Sequence, residues 1–539
     1  MMRTKEPRRM KRRTLLTGIA AAGATALARP ATIRAQSQTT LKFIPQIDLS
    51  FLDPHFTPAY VTRNHAYMVF DTLYGQDGSF AARPQMVEGH STEDDGRLWK
   101  LTLRPGLVWH DGQPVLARDC VASIRRWSKK DALGDALMQA TDALSAPDDK
   151  TIQFRLKHPF PLLPDALGHA ATYMPAMMPE RLAATDSAKQ VTEMVGSGPF
   201  RYLADQRLAG SRNVYAKFDR YVPRAGGTPD WTAGPKIVHY DRVEWTTIPD
   251  SATAAAALQS GEQDWWELIA TFDLLPLLAG DKNIQIRTPD PTGQVEMMRP
   301  NTLQPPFNNP AIRRALWGGI DQADFMQAIV GDDPKMFHTP LGFFCPGTPM
   351  ASDAGLAPLL GKRDYAKVKA DLAAAGYKGE TVAMMVPTDY ATLKAIGDVA
   401  ADMMKRCGMT VDYQAVDWGT MLARRNKQTP VDQGGWSCFI TGWAGLDWMN
   451  PAGHIAMRGN GLKGYPGWFE SAKVETLRSD WLGATDVAKQ QAICRELQIT
   501  CMEEVPYWPL GQFIQPTANR RSVTGFQNGF ATFWGIRPA

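Results

Sequence analysis

Six cysteines, nine histidines and sixteen tryptophans are the residues through which this chain of 539 could hold a metal, attack a substrate or stack on a ligand. Their spacing removes most of that chemistry. Cys120, Cys345, Cys407, Cys438, Cys494 and Cys501 contain no Cys-x-x-Cys pair and lie near no histidine at zinc-finger spacing, so no metal site is expected. The sequence has no Gly-x-Ser-x-Gly elbow, no His-Glu-x-x-His, no Walker loop and no Cys-x-x-Cys-His, and no cofactor is expected. Gly196-Ser197-Gly198-Pro199-Phe200 lacks the third glycine of a dinucleotide fingerprint and reads as a tight bend. His110 stands in Trp109-His110-Asp111-Gly112, where Asp-Gly is a turn signal, so its role is structural. Stacking remains. Trp436, Trp443 and Trp448 are candidates to wall in a ligand, since aromatic faces give large apolar contact with few rotamers to freeze. Core packing is the equal alternative for Trp436. Trp418, directly after Asp417, is a fourth candidate.

These residues sit in a chain long enough for several hydrophobic cores. Hydrophobic residues make up 44% and charged residues 21%, which excludes disordered and collagen-like classes. The net charge of +4 is uneven: residues 1–35 carry nine Lys or Arg and one Glu, leaving 50 basic against 54 acidic residues beyond them. A mildly acidic main body is not expected to bind nucleic acid. Arg8, Arg9, Lys11, Arg12 and Arg13 precede the short, Ala- and Gly-rich stretch Leu15 to Leu27, which is signal-peptide grammar. Lys11-Arg12-Arg13-Thr14-Leu15-Leu16-Thr17 resembles the twin-arginine export signal, with cleavage expected after Ala35 and Ala26-Leu27-Ala28 as a competing site. The expected location is the periplasm. Cys494 and Cys501, about 10 Å apart along a helix, should not pair. An oxidising compartment permits one disulfide among the others, and Cys345 with Cys438 is the expected pair.

The positioning elements are legible from periodicity. Trp99, Leu101 and Leu103 alternate with polar residues before the Pro105-Gly106 turn, and Ile152, Phe154 and Leu156 repeat the pattern, with an intervening helix starting at Asp119 and carrying Cys120, Ile124 and Trp127 on one face. These predict an α+β unit. Strands follow near Arg201 to Tyr215 and Val238 to Trp245. From about residue 290 strands alternate with longer helices: Asn309-Pro310 caps one helix, and Tyr365, Val368 and Leu372 stripe another that stops at Gly376. The last segment, from Pro516, should return to the first lobe.

Short motifs then recur in a telling order: Leu52-Asp53-Pro54, Arg83-Pro84-Gln85-Met86-Val87-Glu88, Thr102-Leu103-Arg104-Pro105-Gly106, Trp109-His110-Asp111-Gly112, Gly196-Ser197-Gly198-Pro199-Phe200, Asn301-Thr302, Ile312-Arg313-Arg314-Ala315-Leu316 and Gly442-Trp443 with Asn450-Pro451. In that order the chain resembles the family 5 extracellular solute-binding proteins, peptide- and nickel-binding receptors of bacterial ABC importers. The resemblance implies an α/β, two-lobed periplasmic binding protein fold with an extra α+β domain inserted in the first lobe. It divides the chain into a signal peptide (1–35), lobe I in three parts (36–79, 197–290 and 509–539), the insert (80–196) and lobe II (291–508).

The same resemblance suggests ligand contacts. In peptide-binding members an Asp in the loop after a Gly-Trp pair holds the ligand's α-ammonium, and Asp447 is the counterpart here, although the loop is one residue longer than in peptide receptors and a plain loop cap is the alternative. Tyr60 lies where oligopeptide receptors pair backbone with the ligand, while Pro58 replaces the acid of some members. His454, near that loop, is the one histidine to consider as a ligand or metal contact. The implied function is a monomeric receptor that captures a small peptide or peptide-like solute by lobe closure and delivers it to an inner-membrane ABC permease. A receptor for another solute, such as a nickel chelate or a sugar, is the alternative, and a periplasmic enzyme is the less favoured class.

Overall fold

A computed structural model describes residues 39–170 and 172–539, so the arginine-pair segment and both candidate cleavage sites lie outside the described residues. In strand Leu98–Leu103, Trp99, Leu101 and Leu103 are buried on one face. Val87–Glu93 and Thr151–Leu156 flank it antiparallel, and Thr141–Ser145 completes a four-stranded sheet. Helix Ala117–Trp127 lays Cys120, Ile124 and Trp127 into the same core. Asp119 does not cap that helix from outside as expected. It stands one turn in, where its carboxylate accepts from Leu116 N at 3.0 Å and Glu180 N at 2.8 Å.

The insert interrupts a seven-stranded sheet. Thr40–Ile44 runs parallel to Arg242–Thr246 and to Trp265–Trp266, so its two neighbours come from far along the chain, as parallel pairing requires. Phe43, Trp265 and Phe533 pack edge to face beneath it, with ring centroids 4.6 and 5.0 Å from Phe43. Two buried ion pairs tie the parts together: Arg126 holds Asp53 through both carboxylate oxygens at 3.0 and 2.6 Å, and Lys236 meets Asp71 at 2.7 Å. Asp53 of the Leu-Asp-Pro motif thus anchors the insert on the first lobe. Removing one partner would cost about 3–5 kcal/mol, because the other charge would stay buried.

A six-stranded sheet forms the second lobe. Its central strand Gln294–Pro300 is antiparallel to both Cys438–Ala444 and Trp508–Phe513, and Cys438–Ala444 leads on through parallel strands Thr381–Pro387 and Thr410–Val416. Helix Ala391–Arg406 crosses between the last two and buries Leu393, Ile396, Ala400 and Met404. It comes so close to the sheet that a Cβ on Gly397 would overlap Val386. Strand Trp508–Phe513 lies wholly in this sheet, and the chain rejoins the first sheet at Thr517–Arg520, later than the expected 508/509 boundary.

All six cysteines are buried and free, which corrects the expected Cys345–Cys438 bridge. The Cys345 thiol accepts from Gln512 Nε2 at 3.2 Å, whereas Cys438 is fixed in its strand opposite Pro300 and Met384. Burial pushes both thiols up, as expected of small apolar packing groups.

Candidate ligand-binding cleft

The chain passes from the first sheet to the second between Arg287 and Gln294, and back between Phe513 and Thr517. The two connectors lie side by side: a Cβ on Gly293, which sits at φ +52°, would overlap the Phe513 carbonyl. Such short neighbouring strips confine relative motion of the lobes to a hinge.

Tyr60 crosses the gap beside them. It opens helix Tyr60–Val69 of the first lobe, and its hydroxyl donates to Asp447 Oδ2 at 2.5 Å while accepting from Ala444 N at 2.8 Å. Both partners belong to the second lobe. One turn along the helix, the Arg63 guanidinium lies 5.0 Å over the Tyr60 ring and 3.8 Å over that of Phe530. Burial lowers the Arg63 pKa, while Tyr60, Asp290, Asp447 and Glu267 oppose the shift. Burial in turn raises Asp447, countered by the Tyr60 hydrogen bond and by the charges of Arg63 and His169. Burial also works against charging His169, but Asp131, 3.3 Å away, with Asp447 and Asp165 behind it, holds its pKa above the ordinary value.

Three cavities open around this contact. Beside the connectors, about 50 Å³ is enclosed by Arg63, Glu267 and Asp290. Burial raises Glu267 to about 7. A second cavity of about 280 Å³ runs from Tyr60 and Leu268 to Glu296, Tyr390 and Trp418. The third, about 380 Å³, lies between the insert and the second lobe, with Asp131, Asp447, Lys130, His169 and Arg425 as its charged groups and Trp443, Tyr465 and Tyr173 among its walls. Arg425 donates to the Tyr465 hydroxyl at 2.9 Å and lies 5.2 Å over its ring, while its Nε has no partner among the described residues.

The structure therefore brings Tyr60, Trp418, Trp443 and Asp447 to the cleft, with Trp418 and Trp443 in different cavities. Three expected contacts are corrected. Trp436 is fully buried, 5.0 Å from Phe439 and 5.7 Å from Trp468, and its indole N–H is spent on the Arg425 carbonyl. Trp448 stacks on His454 at 4.7 Å, and His454 Nε2 lies 2.7 Å from the Tyr507 hydroxyl. Burial drives the His454 pKa down to about 3, which suits a neutral core residue. In the tight turn Gly445–Trp448, Asp447 lines the cavity while its neighbour Trp448 packs into the core. Sequence reading missed Arg63, His169, Arg425 and Glu296. Arg63 was signalled by its spacing of three from Tyr60, and Glu296 by the polar alternation Gln294, Glu296 against Val295, Met297.

Two sheets on a double connector, with cavities ringed by groups from both, define a two-lobed solute-binding protein. The chain belongs to the bacterial extracellular solute-binding proteins, family 5, whose profile matches residues 81–462. It is 35% identical over 521 residues to a probable peptide ABC transporter periplasmic-binding protein of Sinorhizobium fredii, covering 96% of this chain and 97% of that one. Among solved structures it resembles the binding protein AgaA of A. tumefaciens R10 in complex with agropinic acid, at a TM-score of 0.74 and 21% identity over 93% of this chain and 99% of the other. DppA of Helicobacter pylori in complex with the peptide STSA aligns at a TM-score of 0.74 and 19% identity, over 93% and 98% of the two chains.

Proposed function

We propose that the protein is a receptor for a small peptide or peptide-like solute, held in the cavity that carries Asp447 and Arg425. One observation supports this reading above the others: a single cavity of about 380 Å³ presents a buried carboxylate and a guanidinium with a free N–H, between aromatic walls. That is the complement of a zwitterion with an apolar middle. The ligand's ammonium pairs with Asp447 and its carboxylate with Arg425, while Trp443 and Tyr465 flank the chain between them. Its size favours two or three residues over a long peptide. The relative that is 35% identical, described as a probable peptide transporter component, points the same way.

Lobe closure couples occupancy to shape, since the contacts made by both lobes exist only when they are together. The loaded receptor then delivers its solute, as a monomer, to an inner-membrane ABC permease. The Arg12-Arg13 segment addresses the chain to the periplasm through twin-arginine export.

Titration calorimetry with a dipeptide panel and its N-acetylated counterparts tests the reading. The expected result is binding of free-amine dipeptides that Asp447→Asn weakens about ten- to a hundredfold, the worth of a hydrogen bond to a charged group. Equal affinity of the variant, or equal binding of acetylated peptides, would overturn the assignment of Asp447.

A further inference from the structure

Glu296 lies on the central strand of the second lobe and lines the cavity of about 280 Å³. It is 3% exposed, and among the described residues its Oε2 has no hydrogen-bond partner. Buried carboxylates are normally paired, so an orphan needs an explanation. The fold makes room for it: the residues registered against Glu296 on both flanking strands are glycines, Gly442 and Gly511, and a Cβ on Gly442 would overlap the carboxyl group. Among the described residues no Lys, Arg or His lines the cavity, and its other titratable groups are the hydroxyls of Tyr60 and Tyr390. Trp418 and Tyr390 form an aromatic corner on the same cavity, with ring centroids 5.5 Å apart, and Tyr390 is exposed.

A buried acid without a counter-ion, a space kept open by glycine, and an aromatic corner together describe a receptacle for positive charge. We propose that this cavity is a cation subsite, in which an ammonium or guanidinium group of the bound solute pairs with the Glu296 carboxylate while Trp418 and Tyr390 flank its stem. The assignment deepens the receptor reading and rests on it: of the solutes the cleft accepts, it selects those with a basic side group. Burial raises Glu296 to about 8, so the acid is mostly protonated at neutral pH, and it passes that proton to solvent when the cation arrives.

The test uses matched pairs on the purified protein: Ala-Lys against Ala-norleucine, Ala-Arg against Ala-citrulline, and the reversed sequences, with agmatine and 1,5-diaminopentane as non-peptide cations. Wild type should prefer the cationic member of at least one pair by about ten- to a hundredfold, and Glu296→Gln should bring that ratio to about one. Trp418→Ala, which leaves the acid in place, should lower the ratio about two- to tenfold through loss of the cation–π contact. Calorimetry in two buffers of different ionisation enthalpy should show release of up to about one proton per cationic ligand at pH 7. A ratio near one in wild type, or one that survives Glu296→Gln, would overturn the subsite. The two readings fail separately. Peptide binding without cation preference sinks the subsite alone, whereas Glu296-dependent binding of agmatine or diaminopentane with no peptide binding keeps the subsite and sinks the peptide assignment. No binding of any probe overturns both.

Discussion

Asp447 and Glu296 are carboxylates on the same lobe, 7% and 3% exposed, and the protein treats them in opposite ways. Asp447 has the Tyr60 hydroxyl on one oxygen and the charges of Arg63 and His169 close by. Glu296 has an unpartnered oxygen, and burial alone accounts for its raised pKa. The contrast separates two uses of a buried acid. A charge compensated in advance by the protein can tie two lobes together, and it offers a ligand only what those partners leave free. An acid left without a partner is held largely protonated by its burial and gains a counter-charge only from what arrives, so it discriminates more sharply among ligands.

The largest effect that would break this contrast is on stability. Glu296 titrates near 8 in the folded protein against 4.5 as a free side chain. Between those values the folded state holds a proton that the unfolded state has lost. Its contribution is therefore complete below pH 4.5 and disappears as pH rises through 8, up to about 5 kcal/mol at 1.36 kcal/mol per unit. Glu296→Gln cannot titrate, so its advantage over wild type should grow from nothing near pH 4.5 to several kcal/mol above pH 8 in denaturant melts. Two parallel curves would mean that a counter-charge reaches Glu296 and that the two acids are alike.

A smaller effect sharpens the steric half of the argument. Gly442→Ala drives a methyl into the space of the Glu296 carboxyl and should cost about 1–3 kcal/mol, the usual range for overpacking. In a Glu296→Ala background most of that cost should vanish, and the double-mutant cycle reads the difference. If the cost persists, the glycine serves the strand pairing and not the acid.

Much of this architecture was legible beforehand, for identifiable reasons. Asn309 caps its helix by accepting from Ala311 N, and Gly376, at φ +92°, ends the helix Tyr365–Ala374, because caps and left-handed residues act within a few positions. Tyr60 and Asp447 could be singled out from sequence because ordered motifs bracket them. Trp448 and His454 were misjudged because proximity in sequence to a cleft loop says nothing about which way a tight turn throws each side chain. Glu296 shows the same limit from the other side. Its alternation marks a polar strand face, yet the cavity that face lines is shared with Tyr60 and Leu268 of the other lobe, more than 200 and nearly 30 residues away in sequence. The Cys345–Cys438 pairing failed likewise, since two cysteines in one chain carry no information about the Gln512 amide that one of them meets.

The subtlest test concerns the compensated acid. Tyr60→Phe removes one hydroxyl and, with it, two hydrogen bonds between the lobes, to Asp447 Oδ2 and from Ala444 N. Each exists only when the lobes meet, so their loss should weaken closure while leaving each lobe folded, by about 1 kcal/mol or a fivefold drop in ligand affinity. The variant also frees Asp447 from a donor that holds its pKa down. A free-amine ligand needs the carboxylate charged, so the acid-side loss of binding should move to higher pH in Tyr60→Phe than in wild type. Closure and charge are thereby separable: a uniform drop in affinity at every pH marks the hydroxyl as a latch alone, whereas a drop that deepens toward acid marks it as the group that keeps Asp447 ready for an ammonium. An unchanged profile would remove Asp447 from the compensated side of the contrast and leave Glu296 as the acid around which binding must be explained.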